Sequence, residues 1–549
     1  QVYSEGNLKY GQPTANSWGF GFTTLNVKSG KWYAEMICPG VTGGVTAGVS
    51  NVGHYGLQHF LGQNPQDATG QWILYLSGTT TKSRFNGSLA SETYSVFNTG
   101  QILGIALNAD DKELSFYVDG TLQSSLGSSG VVDISTGGSA NDEWSFFANT
   151  HYGASGAITW NFGQNSSFLG TETATSNSDG NGVGAFHTTP PSGYLALCTA
   201  NLPDPAIPLP SAHFNTVLYT GNGGTNAITG VGFQPDWVWA KVRDEAYSHG
   251  LFDAVRGVTK KLSSNLTNAE VTDSGLTAFG SDGFTMGSDA GMNGSSKTYV
   301  AWNWKANGSG SQNTDGSINS TATSANQTAG FSIVTYTGNN QAATVGHGLG
   351  VAPDLVIVKS IGGAGSWHVY NGVTSSDSEN YYMLLDGTTA LTNSGTGTVP
   401  WNNTRATSSV FSVGGANAST NINNATYLAY CFASKPGFSK IGVYTGNGST
   451  DGPYIFTGFR PAFTLIKSTD SSSYWWEILD NKRSTSNFAV KETLYANASD
   501  VEYSGSGSAK DFLSNGFKIR NSSSHTNGNG GTYLYMAFAE SPFKYANAR

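Results

Sequence analysis

The feature that most constrains this chain is a segment that returns three times after residue 213. Phe214-Asn-Thr-Val-Leu-Tyr219-Thr-Gly-Asn-Gly opens the first copy, Phe331-Ser-Ile-Val-Thr-Tyr336-Thr-Gly-Asn the second and Phe438-Ser-Lys-Ile-Gly-Val-Tyr444-Thr-Gly-Asn-Gly the third. Self-similarity at such a period marks one supersecondary unit used repeatedly. Sixteen or seventeen residues after each tyrosine a proline leads into an apolar run that ends in lysine, at Pro235 to Lys241, Pro353 to Lys359 and Pro461 to Lys467. Each copy then closes on a near-continuous apolar run: Tyr299-Val-Ala-Trp-Asn-Trp304, Tyr427-Leu-Ala-Tyr-Cys-Phe432 and Tyr533-Leu-Tyr-Met-Ala-Phe538. Runs this short, bounded by Gly/Asn turns, suit strands buried on both faces, because a helix would need ten or more residues. Three tandem β-sandwiches, each with its own core, are therefore expected at residues 213–306, 331–436 and 437–549. The stretch 307–330, rich in Gly, Ser and Thr, reads as a linker. Only Ser434 to Gly437 separates the second copy from the third, so those two should pack rigidly.

A chain of 549 residues is long enough for several cores. Its composition is unusual in charge: Asp, Glu, Lys and Arg make up 11%, while glycine alone counts 72 residues. An average soluble domain carries about 25% charged residues. Such a surface is polar but neutral, and it suits many strands joined by Gly/Asn turns. With a net charge of −9 and no basic run, there is nothing to build a phosphate-binding groove, so nucleic acid is not expected as a partner. No stretch of about 18 apolar residues exists for a membrane-inserting helix. Cys38, Cys198 and Cys431 are too widely spaced for a disulfide framework or a metal knuckle and are expected to be buried thiols.

The first 168 residues form a different unit. Leu103-Gly-Ile-Ala-Leu107, a turn at Asn108 to Lys112, and Glu113-Leu-Ser-Phe-Tyr-Val-Asp-Gly120 predict a β-hairpin with Leu103, Ile105 and Leu107 facing Leu114, Phe116 and Val118. Together with Lys31-Trp-Tyr-Ala-Glu35, Ala47 to Ser50 and Thr159-Trp-Asn-Phe162, this order resembles the SPRY (B30.2-like) domain. The resemblance implies a bent, concanavalin-like β-sandwich that binds through variable rim loops. A Pro-rich connector is expected over 169–212. That connector, the Tyr-Thr-Gly-Asn-Gly repeats and the terminus Pro542-Phe-Lys-Tyr-Ala-Asn-Ala-Arg549 resemble large virion proteins of tailed phages, notably marine ones. The resemblance implies a virion-surface location, contacts with other virion proteins, attachment to a host-surface glycan or protein, and a homo-oligomer, most often a trimer. The expected fold class is all-β: a SPRY-like sandwich followed by three sandwich repeats.

Catalytic signatures are missing from the sequence. The nine histidines form no HExxH pair, and there is no Gly-x-Ser-x-Gly elbow, Walker loop or dinucleotide fingerprint, so no catalytic residue, metal or cofactor is assigned. Asp110-Asp111, Asp179 and Asp315 are read as turn carboxylates rather than calcium ligands. A polysaccharide depolymerase would need two carboxylates across a cleft. Glu477, Asp480 and Glu492 are the nearest candidates, although Asp253-x-x-Arg256 and Asp480-x-x-Arg483 recur as if they were structural ion pairs. Aromatic faces on a neutral surface suit sugar stacking. Recurrent aromatics (Trp237, Trp239, Trp302, Trp304, and Trp367 with Trp475, each eight residues after the repeat lysine) are assigned to the core. Bulky residues that do not recur (Tyr474, Trp476, His368 and Trp401, with His54 and Tyr55 in a SPRY-like loop) are assigned to a binding surface. Two functions outside adhesion remain open at this stage: capsid decoration or head fibre without receptor recognition, and depolymerase.

Overall fold

The structure, a computed structural model, describes all residues except 1–2, 5–8, 11–17, 24, 38–44, 52–70, 78–79, 86–87, 95–99, 136–142, 152–157, 376, 396–398, 416–418, 485–488 and 547–549. The chain is all-β, built from antiparallel sheets with a few single-turn helices. It divides into two compact units, Gln1–Pro203 and Asp204–Arg549.

In the first unit two sheets enclose one core. The central strands of one are Ile158–Asn161, Lys31–Ile37, Ile102–Asn108 and Glu113–Val118, and those of the other are Trp144–His151, Val45–Asn51 and Gln71–Ser77. The expected hairpin forms in the expected register, pairing Leu107 with Leu114, Ile105 with Phe116 and Leu103 with Val118. Alternation along Lys31–Ile37 sends Trp32, Ala34 and Met36 into the core between the sheets. Tyr33 faces the other way, against Phe186 and Ala196.

That second face corrects the reading of 169–212 as a free connector. Residues up to Pro203 belong to the first unit, and Leu195–Ala196 adds a parallel strand beside Trp32 and Tyr33. The buried carboxylate of Glu35 fastens this strap, accepting the backbone N–H groups of His187 and Thr188 (2.8 Å each), the Thr188 hydroxyl (2.6 Å) and Asn161 Nδ2 (3.1 Å). A buried carboxylate saturated by donors in this way avoids the penalty that an unpaired one would suffer. Asp179 has a similar role in the strap. It accepts the N–H groups of Asn181, Val183 and Ala196 and the Asn201 amide, and these donors outweigh burial and hold its pKa below the ordinary value.

In the second unit each repeat builds a main sheet whose central strand is the repeat's last one. Thr298–Trp304 lies between Phe214–Thr220 and Trp237–Val242, Thr426–Phe432 between Phe331–Thr337 and Leu355–Ser360, and Thr532–Pro542 between Ser439–Thr445 and Phe459–Ser468. A small sheet of two or three strands covers one face of each main sheet, so every repeat is a sandwich with a modest core of its own. The segment 307–330 is not a free linker, because Ala322–Asn326 pairs along Phe331–Thr337 and extends the second sheet.

The other faces carry the largest side chains, and they meet. Trp237 stacks on Trp304 of its own repeat at 4.3 Å and on Tyr430 of the second at 4.2 Å, while Phe214 stacks on Phe538 of the third at 5.0 Å. Phe432 and Phe538 close the triangle at 6.2 Å. The three repeats therefore share one aromatic core in addition to the core that each has of its own, which corrects the expectation that the modules are cored only separately.

Three equivalent sets of hydrogen bonds run around this core and return to their start. Glu270 N–H donates to Ile361 O (2.9 Å), Leu391 N–H to Thr469 O (2.8 Å) and Glu502 N–H to Arg243 O (2.7 Å), linking first to second, second to third and third to first. Running the opposite way, Trp367 Nε1–H donates to Ser263 O, Trp476 Nε1–H to Leu384 O (2.9 Å each), and His249 Nε2–H to Tyr495 O (3.0 Å). The histidine is fixed in this tautomer because its Nδ1 accepts from Trp239 Nε1–H at 2.8 Å. At two of the three junctions Tyr430 donates to Asp253 (3.0 Å) and Trp302 to Asp480 (2.9 Å), and each aspartate is clamped by its own arginine, Arg256 or Arg483. At the third junction the matching positions are Asn371 and Met536, so the charge is missing where the donor is missing.

The recurrent sequence motif also has a local cause. Tyr219, Tyr336 and Tyr444 donate to the carbonyls of Met292, Thr420 and Thr526 (2.7, 2.6 and 2.7 Å) and stack on Tyr299, Tyr427 and Tyr533. The N–H of Asn222, Asn339 or Asn447 donates to the buried amide of Asn293, Asn421 or Asn527. Just before this asparagine only glycine fits, since a Cβ at Gly221, Gly338 or Gly446 would collide with a backbone carbonyl. The repeat lysines Lys241, Lys359 and Lys467 are fully buried, and burial pushes each ammonium down to about 8. They bind carbonyls of the turn that follows, Val242 O, Ser360 O and Ser468 O.

Two predictions follow from the closed core. Deleting residues 437–549 would uncover Phe214, Trp304 and Phe432, so limited proteolysis should spare a fragment of the first unit and digest both remaining repeats; a protease-resistant core from residues 213–436 would contradict this. Burial pushes the pKa of His249 down to about 3, so the unfolded state takes up a proton that the folded state refuses between pH 6.5 and 3. Stability present above pH 6.5 is lost as the pH falls through that window, by up to roughly 4 to 5 kcal/mol. Histidine NMR should show the Nε2–H form of His249 unchanged from pH 7 down to about 4.5, whereas a midpoint near 6.5 would refute the assignment.

Candidate functional site

In each repeat the loop after the buried lysine ends on the ring that bonds the neighbouring repeat: His249, Trp367 or Trp476. The residue just before that ring is half-buried in the first two repeats, Ser248 and Ser366, and exposed in the third, where it is Trp475 at 41%. Its indole packs on Tyr495 at 4.8 Å, Tyr495 stacks on His525 at 5.4 Å, and Tyr474 lies tilted against His525 at 5.4 Å. Trp475 N–H donates to His525 Nε2 at 2.9 Å, and burial holds the imidazole pKa below its ordinary value, so the ring stays neutral. Of the twelve tryptophan side chains that are described, eleven are buried and only Trp475 is exposed.

This arrangement divides the residues assigned to binding from the sequence. Tyr474 is half-buried, within the cluster. Trp476 is 2% exposed and is a joint between repeats, so its assignment to the surface and that of Trp475 to the core exchange places. The reason is one extra residue in the third loop: the ring comes eight positions after Lys241 and Lys359 but nine after Lys467. His368 is buried at 8% beside Tyr382, and Trp401 at 2% fills the second repeat's own core against Tyr370. Neither is a surface residue. His54 and Tyr55 lie outside the described residues. Tyr495 and His525 were missed because neither stands near the variable loop in sequence; pairing of Glu477 with Tyr495 and the short helix Ser524–Asn527 bring them there.

The acids considered for catalysis all hold structural partners. Glu477 forms a fully buried ion pair with Lys510, Asp480 binds Arg483 and Trp302, and Glu492 accepts from Ser484. What the cluster offers instead is an exposed indole face backed by tilted aromatic rings, suited to stacking on an apolar ring face. Among the described residues no three His, Cys, Asp or Glu side chains gather as a metal site.

Replacing Trp476 with alanine should lower stability by about 3 to 5 kcal/mol, as for other fully buried tryptophans, while Trp475→Ala should change it by about 1 kcal/mol or less. Urea unfolding of the two variants distinguishes joint from surface.

The chain is similar to the crystal structure of the SPRY domain of human HERC1 (17% identity over 26% of this chain and 82% of that one, TM-score 0.20). It is also similar to the TRIM65 PSpry domain (15% identity over 29% of this chain and 84% of that one, TM-score 0.22). No curated protein matches it. One family model matches residues 209–542, which take in all three repeats and more than half of the sequence, and the chain thus belongs to the family described as a domain of unknown function, DUF7483.

Proposed function

We propose that this chain is a non-enzymatic virion protein of a tailed phage, a tail-fibre or receptor-binding component that attaches to a host-surface glycan. The observation that supports this reading most is the Tyr474, Trp475, Tyr495 and His525 cluster. It is an exposed indole held rigid by its neighbours, on a chain whose charged residues are few. Stacking on a sugar face needs such a platform, and rigidity lowers the entropy lost on binding. The phage context comes from the sequence resemblance of the repeats, the connector and the terminus.

The mechanism is multivalent contact. The three repeats differ at this position: Trp475 in the third, Ser248 in the first and Ser366 in the second. One chain thus presents one cluster, and avidity has to come from several chains, a homotrimer in this reading, displayed on the particle surface beside other virion proteins. A weak site of about millimolar affinity then suffices for durable attachment.

The test uses purified chain on host cells and on their isolated surface polysaccharide. Wild type should bind, Trp475→Ala should bind about tenfold or more weakly, and the polysaccharide should keep its length on incubation. Equal binding by the variant would remove the cluster from attachment, and shortened polysaccharide would replace attachment with cleavage. Cryo-EM of the particle should place the chain outside, at the tail; density on the head shell would favour a decoration role instead.

A further inference from the structure

The first repeat has a cavity of about 360 Å³ at the place where the third repeat has its aromatic cluster. Three correspondences establish this. Ser248 and Trp475 each precede the ring that bonds the neighbouring repeat, and both those rings, His249 and Trp476, donate their backbone N–H to an asparagine, Asn265 or Asn497. Ser263 and Tyr495 each supply the carbonyl that accepts a neighbour's ring N–H. Gly291 and His525 are each the second residue of the short helix, Ala290–Asn293 or Ser524–Asn527.

Where the third repeat carries indole, phenol and imidazole, the first thus carries two serines and a glycine, and all three line the cavity. Tyr247 stands at its rim over Gly291, as Tyr474 stands over His525. Val271 and Leu266 are exposed there, and Met292 lies deeper. The charged wall is internally compensated, because Lys261 is ion-paired to both Asp273 and Asp289. With two carboxylates for one ammonium, the wall disfavours an anionic guest. The volume is within the range of about 300 to 1,000 Å³ typical of ligand clefts.

We propose that this cavity receives one neutral aromatic ring, the indole or phenol of a tryptophan or tyrosine carried by another protein chain. The third repeat displays the contact in internal form: on the same framework Trp475, still partly open to solvent, packs on Tyr495 from its own sequence. The first repeat keeps the framework and omits the rings, and its rim of Tyr247, Leu266 and Val271 would be covered when a partner supplies one. The cavity is lined by first-repeat residues alone, and the proposal does not rest on glycan binding.

The test is saturation-transfer NMR on the full chain with N-acetyl-tryptophanamide as probe, alongside N-acetyl-leucinamide and N-acetylglucosamine. The expected result is weak binding of the tryptophan probe, about tenfold above either control, and its loss in Ser248→Trp and in Ser263→Tyr, each of which installs the ring that the third repeat has there. Ser248→Ala should bind as wild type does. Circular dichroism identifies any variant that fails to fold, and the other filled variant then carries the comparison. No signal from wild type, an equal signal from the sugar, or a signal that survives in a folded filled variant would overturn the proposal.

Discussion

The second unit depends on the burial of three aromatic sheet faces against one another. A β-sheet has two faces, and each repeat covers only one of them with its own small sheet. The other face, with Trp237, Trp239, Trp302 and Trp304 in the first repeat alone, is too large and apolar to meet water. Side chains of this size contribute on the order of 2 to 3 kcal/mol each when withdrawn from water, so the shared core outweighs any single polar joint. The polar joints have another task, which is register. A buried indole N–H or aspartate that misses its partner costs more than it gains when paired, so the ring closes well in one arrangement only.

Charge placement follows from the same architecture. The chain has few ionic groups, and several of them lie inside: Arg256 with Asp253, Arg483 with Asp480, Lys510 with Glu477, and the three buried repeat lysines. Arg243 reaches from the first repeat to Glu502 of the third with two hydrogen bonds, at 3.0 and 2.7 Å. Bidentate pairs of this kind add geometric selectivity that an exposed pair would not. The outside is left sparsely charged, and function can vary there without disturbing the joints. The position before the junction ring illustrates this freedom, with Ser248, Ser366 and Trp475 on one framework.

Much of the architecture was legible in the sequence because it rests on local signals. The hairpin of residues 102–118, the Pro-entered strands and the closing strands follow from alternation and turn residues, and Trp237, Trp239, Trp302 and Trp304 are core as their recurrence implied. What an apolar run cannot state is whose surface covers its second face. A strand buried on both sides reads the same whether its partner is its own domain or the next repeat. For the same reason the segments 169–212 and 307–330, weak in periodicity, read as connectors although Leu195–Ala196 and Ala322–Asn326 join sheets. The candidate site failed at finer grain, where a single inserted residue before Trp476 exchanged a buried ring for an exposed one.

Calorimetry on residues 204–549 tests the shared core most directly. One core and a closed set of joints require the three repeats to unfold together, as a single transition whose calorimetric and van't Hoff enthalpies agree. Two or three resolved transitions, or a van't Hoff enthalpy near one third of the calorimetric value, would mean that the repeats stand alone and that the account is wrong.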